Sequence, residues 1–133
     1  GALGGKLETT KTLIIDTQSK ITENYHELEI RGLSVYVIRT HQELFSALYN
    51  FAPNVIIIDS AEPEQRRQLL YANIRSMSPA PILVLSVIDE PDIVEKVLDH
   101  GADDYLLKPV SPTLLTARIK ALARRAYFTN SLY

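Results

Sequence analysis

The apolar positions of this chain fall into two alternating patterns. Five short runs are almost continuously hydrophobic and rich in Val and Ile: TLIID (12–16), LSVYVI (33–38), NVIIID (54–59), PILVLS (81–86) and DYLL (104–107). Unbroken runs of that length suit strands covered on both faces, as in a parallel sheet. Elsewhere the apolar residues recur at helical spacing. Ile21, Tyr25 and Leu28 mark a first face, Leu44, Phe45 and Leu48 a second, and Leu70, Ile74 and Met77 a third. Ile93, Val94, Val97 and Leu98 mark the fourth, and Leu115, Ile119, Leu122 and Ala126 the fifth. Each set covers one side of a helix, which is what a helix laid on a sheet requires. The polar punctuation agrees. Thr40 with Glu43 forms a capping-box pattern, Ser111-Pro112 reads as an N-cap with proline in the first turn, and Gly32 and Gly101 stand where helices should stop. Strand and helix therefore alternate five times, which predicts a doubly wound α/β sheet with helices on both faces.

Composition narrows this picture. With 133 residues, 46% of them hydrophobic, the chain has the length for one domain with one core. Residues 1–10, which open with GALGG, read as an expression remnant or disordered tail, residues 11–126 as the domain, and residues 127–133 as a C-terminal tail or the start of a linker. A net charge of -2 gives no electrostatic case for direct nucleic-acid binding. The lack of cysteine excludes disulfides and thiolate metal sites and fits a reducing compartment. No apolar run approaches the ~20 residues that span a bilayer, and no signal-peptide pattern opens the chain, so a cytoplasmic protein is expected. His26, His41 and His100 are scattered over the helical stretches and read as surface residues and not as metal ligands.

The chemistry collects at the ends of the strands. In an open parallel sheet, ligands bind outside the carboxyl ends of the strands. The first strand ends in Asp16, the third in Asp59 and the fourth in Ser86, and the fifth runs into Lys108-Pro109. Any one of these groups alone has an ordinary structural reading, as a loop cap or a solvated side chain. Four on one edge point instead to phosphoryl chemistry at a carboxylate. Asp59 would accept the group, and Asp16 would hold Mg²⁺, which prefers oxygen ligands. Lys108 and Ser86 would bind the phosphoryl oxygens.

These residues resemble the receiver domain of two-component response regulators, over roughly residues 11 to 126. The most specific piece is GADDYLLKPVSPTLLTARIKALARR (101–125), which is similar to the last strand and helix of OmpR-like receivers. VIIIDS resembles the phosphoacceptor strand and PILVLS the strand that ends in the switch hydroxyl. The resemblance implies a flavodoxin-like five-stranded parallel sheet in the order 2-1-3-4-5 with five helices. It implies that Asp59 takes a phosphoryl group from a histidine kinase, that Asp16, Asp59 and the Ala61 carbonyl surround Mg²⁺, and that Lys108 pairs with the phosphate. Ser86 and Tyr105 would be the switch hydroxyl and switch aromatic, and a cis peptide would join Lys108 to Pro109. Drawing Ser86 toward the phosphoryl group would let Tyr105 turn inward and alter the face of helix 4, strand 5 and helix 5. The output would be dimerisation through that face and control of an effector, for example a winged-helix transcriptional domain.

Three departures qualify the resemblance. Family receivers carry two adjacent acids after the first strand, whereas this chain has Asp16-Thr17, so Mg²⁺ binding should weaken. Glu62 reads as a solvated loop acid and not as a replacement. The loop SAEPEQRRQLL displaces Pro63 and has no glycine, which leaves the aim of the Ala61 carbonyl open. Val94 and Leu114 stand where OmpR-like receivers often carry a charged interface pair, leaving Asp103, Asp104, Arg118 and Arg125 as candidate interface charges. An apolar Val94–Leu114 contact would hold a dimer without phosphorylation, so a pseudo-receiver acting as a dimerisation or docking module stands as the alternative. Neither reading is a metabolic enzyme. A flavodoxin-like cofactor enzyme would need a glycine-rich phosphate loop, and three of the five glycines lie in the first five residues.

Overall fold

A computed structural model describes residues 9–18, 23–59 and 62–131. The strands are β1 (Thr10–Asp16), β2 (Leu33–Ile38), β3 (Val55–Asp59), β4 (Ile82–Ser86) and β5 (Asp104–Leu107). The helices are α1 (Glu23–Ile30), α2 (Leu44–Phe51), α3 (Glu64–Arg75), α4 (Pro91–Asp99) and α5 (Pro112–Ser131). All strand pairs are parallel, in the order β2-β1-β3-β4-β5. This is the doubly wound sheet that the apolar runs predict.

Because side chains alternate across a strand, the sheet divides its residues between two cores. Leu13, Ile15, Ile56, Ile58, Ile82 and Val84 face one layer, which also holds Leu44 of α2, Ile74 of α3 and Val97 of α4. Ile14, Val55, Ile57, Leu83 and Leu85 face the other, with Leu28 of α1 and Ile119 of α5. The same alternation governs the residues just beyond each core. Two steps past Ile14 comes Asp16, and two past Ile57 comes Asp59, so both aspartates face the α1 side. Ser86, two steps past Val84, faces the α4 side.

Several local expectations shift. In α2, Ala47 is buried and Phe45 is 47% exposed, because Leu44, Ala47 and Leu48 are the residues on the sheet-facing side. Met77 falls beyond the end of α3, and Leu98 lies at the rim of α4; both are exposed. Ile21 lies outside the described residues. The Thr40–Glu43 capping box forms, but around a short 3₁₀ turn (His41–Glu43) that leads into α2. The Leu114 N–H donates to Ser111 Oγ at 3.1 Å, as an N-cap should. Gly32 and Gly101 have φ of 100° and 134°, a region that favours glycine. Strand β1 begins at Thr10, and α5 runs on to Ser131, with no glycine or proline in RRAYFTNS to interrupt it. Among the described residues no helix is long and apolar enough to cross a membrane.

One helix ends without glycine. Ala52 closes α2 at φ 50°, left-handed, and its side chain is exposed. Ala52→Gly should therefore relieve backbone strain and stabilise the domain by about 0.5–1 kcal/mol. Urea unfolding of the two proteins checks this; an unchanged or lower midpoint would contradict it.

Candidate functional site

Register brings the acids together. β1 and β3 pair so that Asp16 stands beside Asp59. Asp16 is 1% exposed and Asp59 9%. Two like charges side by side and nearly dry repel each other and lose hydration, so the surrounding elements must supply donors.

They come from four directions. From β5, the Lys108 ammonium lies 2.6 Å from Asp59 Oδ1. The Lys108-Pro109 peptide is cis, as the resemblance implies. From the end of β2, Arg39 Nη1 donates to Asp16 Oδ2 at 2.9 Å. Ile38 pairs with Ile15 across the sheet, so the next residue on each strand, Arg39 and Asp16, are neighbours. The Gln18 N–H donates to Asp16 Oδ1 at 3.2 Å. Finally, the Tyr25 hydroxyl of α1 stands 3.2 Å from Asp16 Oδ2 and 3.2 Å from Asp59 Oδ2, a single O–H shared between the two carboxylates. Three of the four carboxylate oxygens thus have a donor of their own, and Asp59 Oδ2 shares the Tyr25 proton with Asp16 Oδ2. Burial, then the charges of Asp59 and Asp16, push the Tyr25 phenol far above its ordinary value, so it remains a donor.

The α4 side of the edge is tied differently. The Ser86 hydroxyl accepts the Ile88 N–H at 3.1 Å. The Tyr105 hydroxyl donates to the Ile88 carbonyl at 2.7 Å, and its ring packs with Ile93 on the layer containing Val84 and Val97. Between the two sides opens a cleft of about 220 Å³, lined among others by Gln18, Asp59, Glu62, Ser86, Tyr105 and Lys108. At its rim the Glu62 carboxylate, only 12% exposed, sits 2.6 Å from His41 Nε2. Glu62 is therefore not the solvated acid its loop position suggests, and His41 is not a bare surface residue. The His26 side chain is 77% exposed, while His100 Nε2 meets Gln68 at 3.3 Å.

The interface candidates separate. Arg118 Nη1 donates to both oxygens of Asp104, at 3.1 and 2.8 Å, and Leu114 stands exposed one turn earlier on α5. Val94 is half-buried on α4, and Arg125 is exposed near the far end of α5. The Asp103 carboxylate accepts the Ile82 N–H at 2.8 Å and pairs with Arg75 at 3.5 Å. Ala61, expected beside a metal, lies outside the described residues.

Sequence reasoning missed Tyr25 and Arg39. Tyr25 reads as one more apolar position of a helix face, yet an inward tyrosine needs a partner for its hydroxyl, and that was the available signal. Arg39 follows the second strand, the one strand end left out of the search for chemistry.

Comparison with known proteins now has a site to refer to. The family model for the response regulator receiver domain matches residues 12–120. The chain is 33% identical over 123 residues to the protein named Probable transcriptional regulator ycf27 of Guillardia theta, covering 90% of this chain and 48% of that protein. It is 32% identical over 135 residues to Transcriptional regulatory protein KdpE of Staphylococcus aureus, covering 92% and 57%. Among solved structures, a two-component response regulator from Clostridium difficile superposes with a TM-score of 0.73 at 28% identity, covering 89% of this chain and 98% of that one. A response regulator from Thermotoga maritima, at 23% identity and a TM-score of 0.78, shares the fold. The chain belongs to the response regulator receiver domain family. Its relatives include transcriptional regulators, and it spans about half the length of the curated ones it matches.

Receiver domains typically bind Mg²⁺ at the phosphorylation site. Asp16 and Asp59 are the carboxylates that would hold it, and their oxygens already meet Tyr25, Arg39 and Lys108. Mg²⁺ demands an octahedral set of oxygens, with anionic ones favoured.

The shared hydroxyl carries a pH-dependent consequence. Tyr25 keeps its proton in the folded state at pH values where the unfolded chain loses it. Its contribution is therefore complete below about pH 10, the ordinary phenol value, and declines above it. Tyr25→Phe should cost about 1 kcal/mol near neutrality and flatten the loss of stability above about pH 10. Urea unfolding across that range checks both; an unaltered alkaline slope would show that the hydroxyl is not held between the two acids.

Proposed function

We propose that the domain is the receiving half of a transcriptional regulator, and that it signals through protein contacts of the α4–β5–α5 face without requiring a phosphoryl group on Asp59. One observation carries this reading: three of the four oxygens of Asp16 and Asp59 have a donor of their own within the domain, and Asp59 Oδ2 shares the single Tyr25 O–H with Asp16. The switch side points the same way, because Tyr105 is already held against the inner layer through the Ile88 carbonyl. A receiver whose charges are balanced and whose aromatic is turned in has little left for a phosphoryl group to change. The output surface would be the apolar strip of Val94 and the exposed Leu98, Leu107 and Leu114, beside the Asp104–Arg118 pair and Arg125. A second copy packing on that strip would make a dimer and bring together two effector domains, such as would occupy the remaining half of a chain of the relatives' length. Asp103 serves the fold and not this face.

The second reading rests on Lys108. Response regulators partner with histidine kinases, and an ammonium 2.6 Å from Asp59 is placed to receive phosphoryl oxygens. In that reading the P–N bond of a kinase phosphohistidine breaks, a carboxylate oxygen of Asp59 forms the P–O bond, and the imidazole leaves with the electron pair. Ser86 would give up the Ile88 N–H and donate to the new phosphoryl group.

Treatment with acetyl phosphate, and separately with beryllofluoride, in the presence of Mg²⁺ decides between them. The first reading expects an unmodified intact mass and an unchanged association state; a phosphoryl adduct on Asp59 that also shifts association would establish the second. Leu114→Asp should weaken self-association at least tenfold, about 1.4 kcal/mol, by sedimentation. An unaffected dimer would remove the α4–β5–α5 face from the proposal.

A further inference from the structure

We infer that the position a divalent cation would take in this receiver is filled from within: the Tyr25 hydroxyl bridges the two carboxylates, and Arg39 and Lys108 supply the balancing charges. The inference deepens the proposed function and shares its site, but concerns metal binding and not signalling.

The geometry supports three separate statements. First, the bridge is aimed at one place. Oδ2 of Asp16 and Oδ2 of Asp59 both point to the same phenol oxygen, 3.2 Å from each. An ion bonded to those two oxygens would compete with Tyr25 for them, and a displaced hydroxyl would be left buried without an acceptor. Second, positive charge already stands beside each acid. Two carboxylates face one guanidinium and one ammonium, at 2.9 and 2.6 Å. A divalent cation entering that group would meet two positive charges at close range instead of an uncompensated acidic pair. Third, the arrangement is built by the fold and not by a loose loop. Asp16 and Asp59 face α1 because of strand alternation, Tyr25 belongs to the buried layer on that side, and Arg39 follows the strand paired to β1.

The missing second acid is a distinct explanation for poor metal binding, and it makes a different prediction. If Thr17 alone were the reason, restoring a carboxylate there would create the site while Tyr25 and Arg39 stayed in place. If the internal bridge is the reason, removing it should admit the ion even with Thr17 retained.

Mn²⁺ titration followed by paramagnetic broadening of backbone amide signals, with Mg²⁺ as the diamagnetic competitor, separates the two. The wild-type domain should show no selective broadening around Gln18, Tyr25 and Lys108 up to about 1 mM Mn²⁺. Tyr25→Phe combined with Arg39→Gln should bind Mn²⁺ at least tenfold more tightly than wild type, with broadening centred on those amides and reversed by Mg²⁺. Should the double variant lose its dispersed spectrum, Arg39→Gln alone, whose side chain is 38% exposed, carries the test with the same expected direction. Submillimolar binding to wild type at this site would overturn the inference. So would a pattern in which Thr17→Asp alone binds tightly and the bridge variants gain nothing. Neither outcome depends on whether Asp59 is phosphorylated.

Discussion

Two carboxylates held side by side at the end of a parallel sheet are the constraint around which the edge of this domain is arranged. Strands β1 and β3 cannot pair in their register without placing Asp16 next to Asp59, and their burial removes the water that would otherwise screen them. Isolated, the pair would oppose folding. Arg39, Lys108, Tyr25 and the Gln18 N–H turn it into a network in which the single Tyr25 O–H is shared between the two acids. Because the donors come from β2, β5, α1 and the turn after β1, the network also links elements that are distant in sequence. Breaking one partner would leave a buried charge behind, which is why such networks are costly to disturb.

Arg39 and Lys108 place positive charge beside the two acids from within the domain. On the other side of the cleft, Ser86 and Tyr105 are both tied to Ile88, one to its N–H and one to its carbonyl. The Glu62–His41 contact stands at the rim of that cleft.

Much of this was legible in the sequence. Continuous Val- and Ile-rich runs identify the strands, and LSVYVI and DYLL match β2 and β5 residue for residue, although these edge strands are not covered on both faces and leave Tyr36 and Leu107 exposed. Asp16, Asp59, Ser86 and Lys108 could be placed on one edge because a parallel sheet puts all its strand ends together. What escaped depends on side-chain reach. Nothing in the spacing of ENYHELEI reveals that the Tyr25 hydroxyl extends past its own core layer to the strand ends. Arg39 looked like the start of a loop, because only the sheet register shows what stands beside it. Glu62 looked solvated because its partner His41 is distant in sequence. Asp103 and Asp104 are adjacent and alike in sequence, yet strand alternation sends one to Arg75 and the other to Arg118.

A crystal structure of the domain grown with millimolar Mg²⁺ tests the central claim most directly. The network predicts the Tyr25 hydroxyl within hydrogen-bonding distance of both aspartates, Arg39 on Asp16, and no ion between the carboxylates. An octahedral metal bonded to Asp16 and Asp59, with Tyr25 turned away and Arg39 displaced, would contradict it.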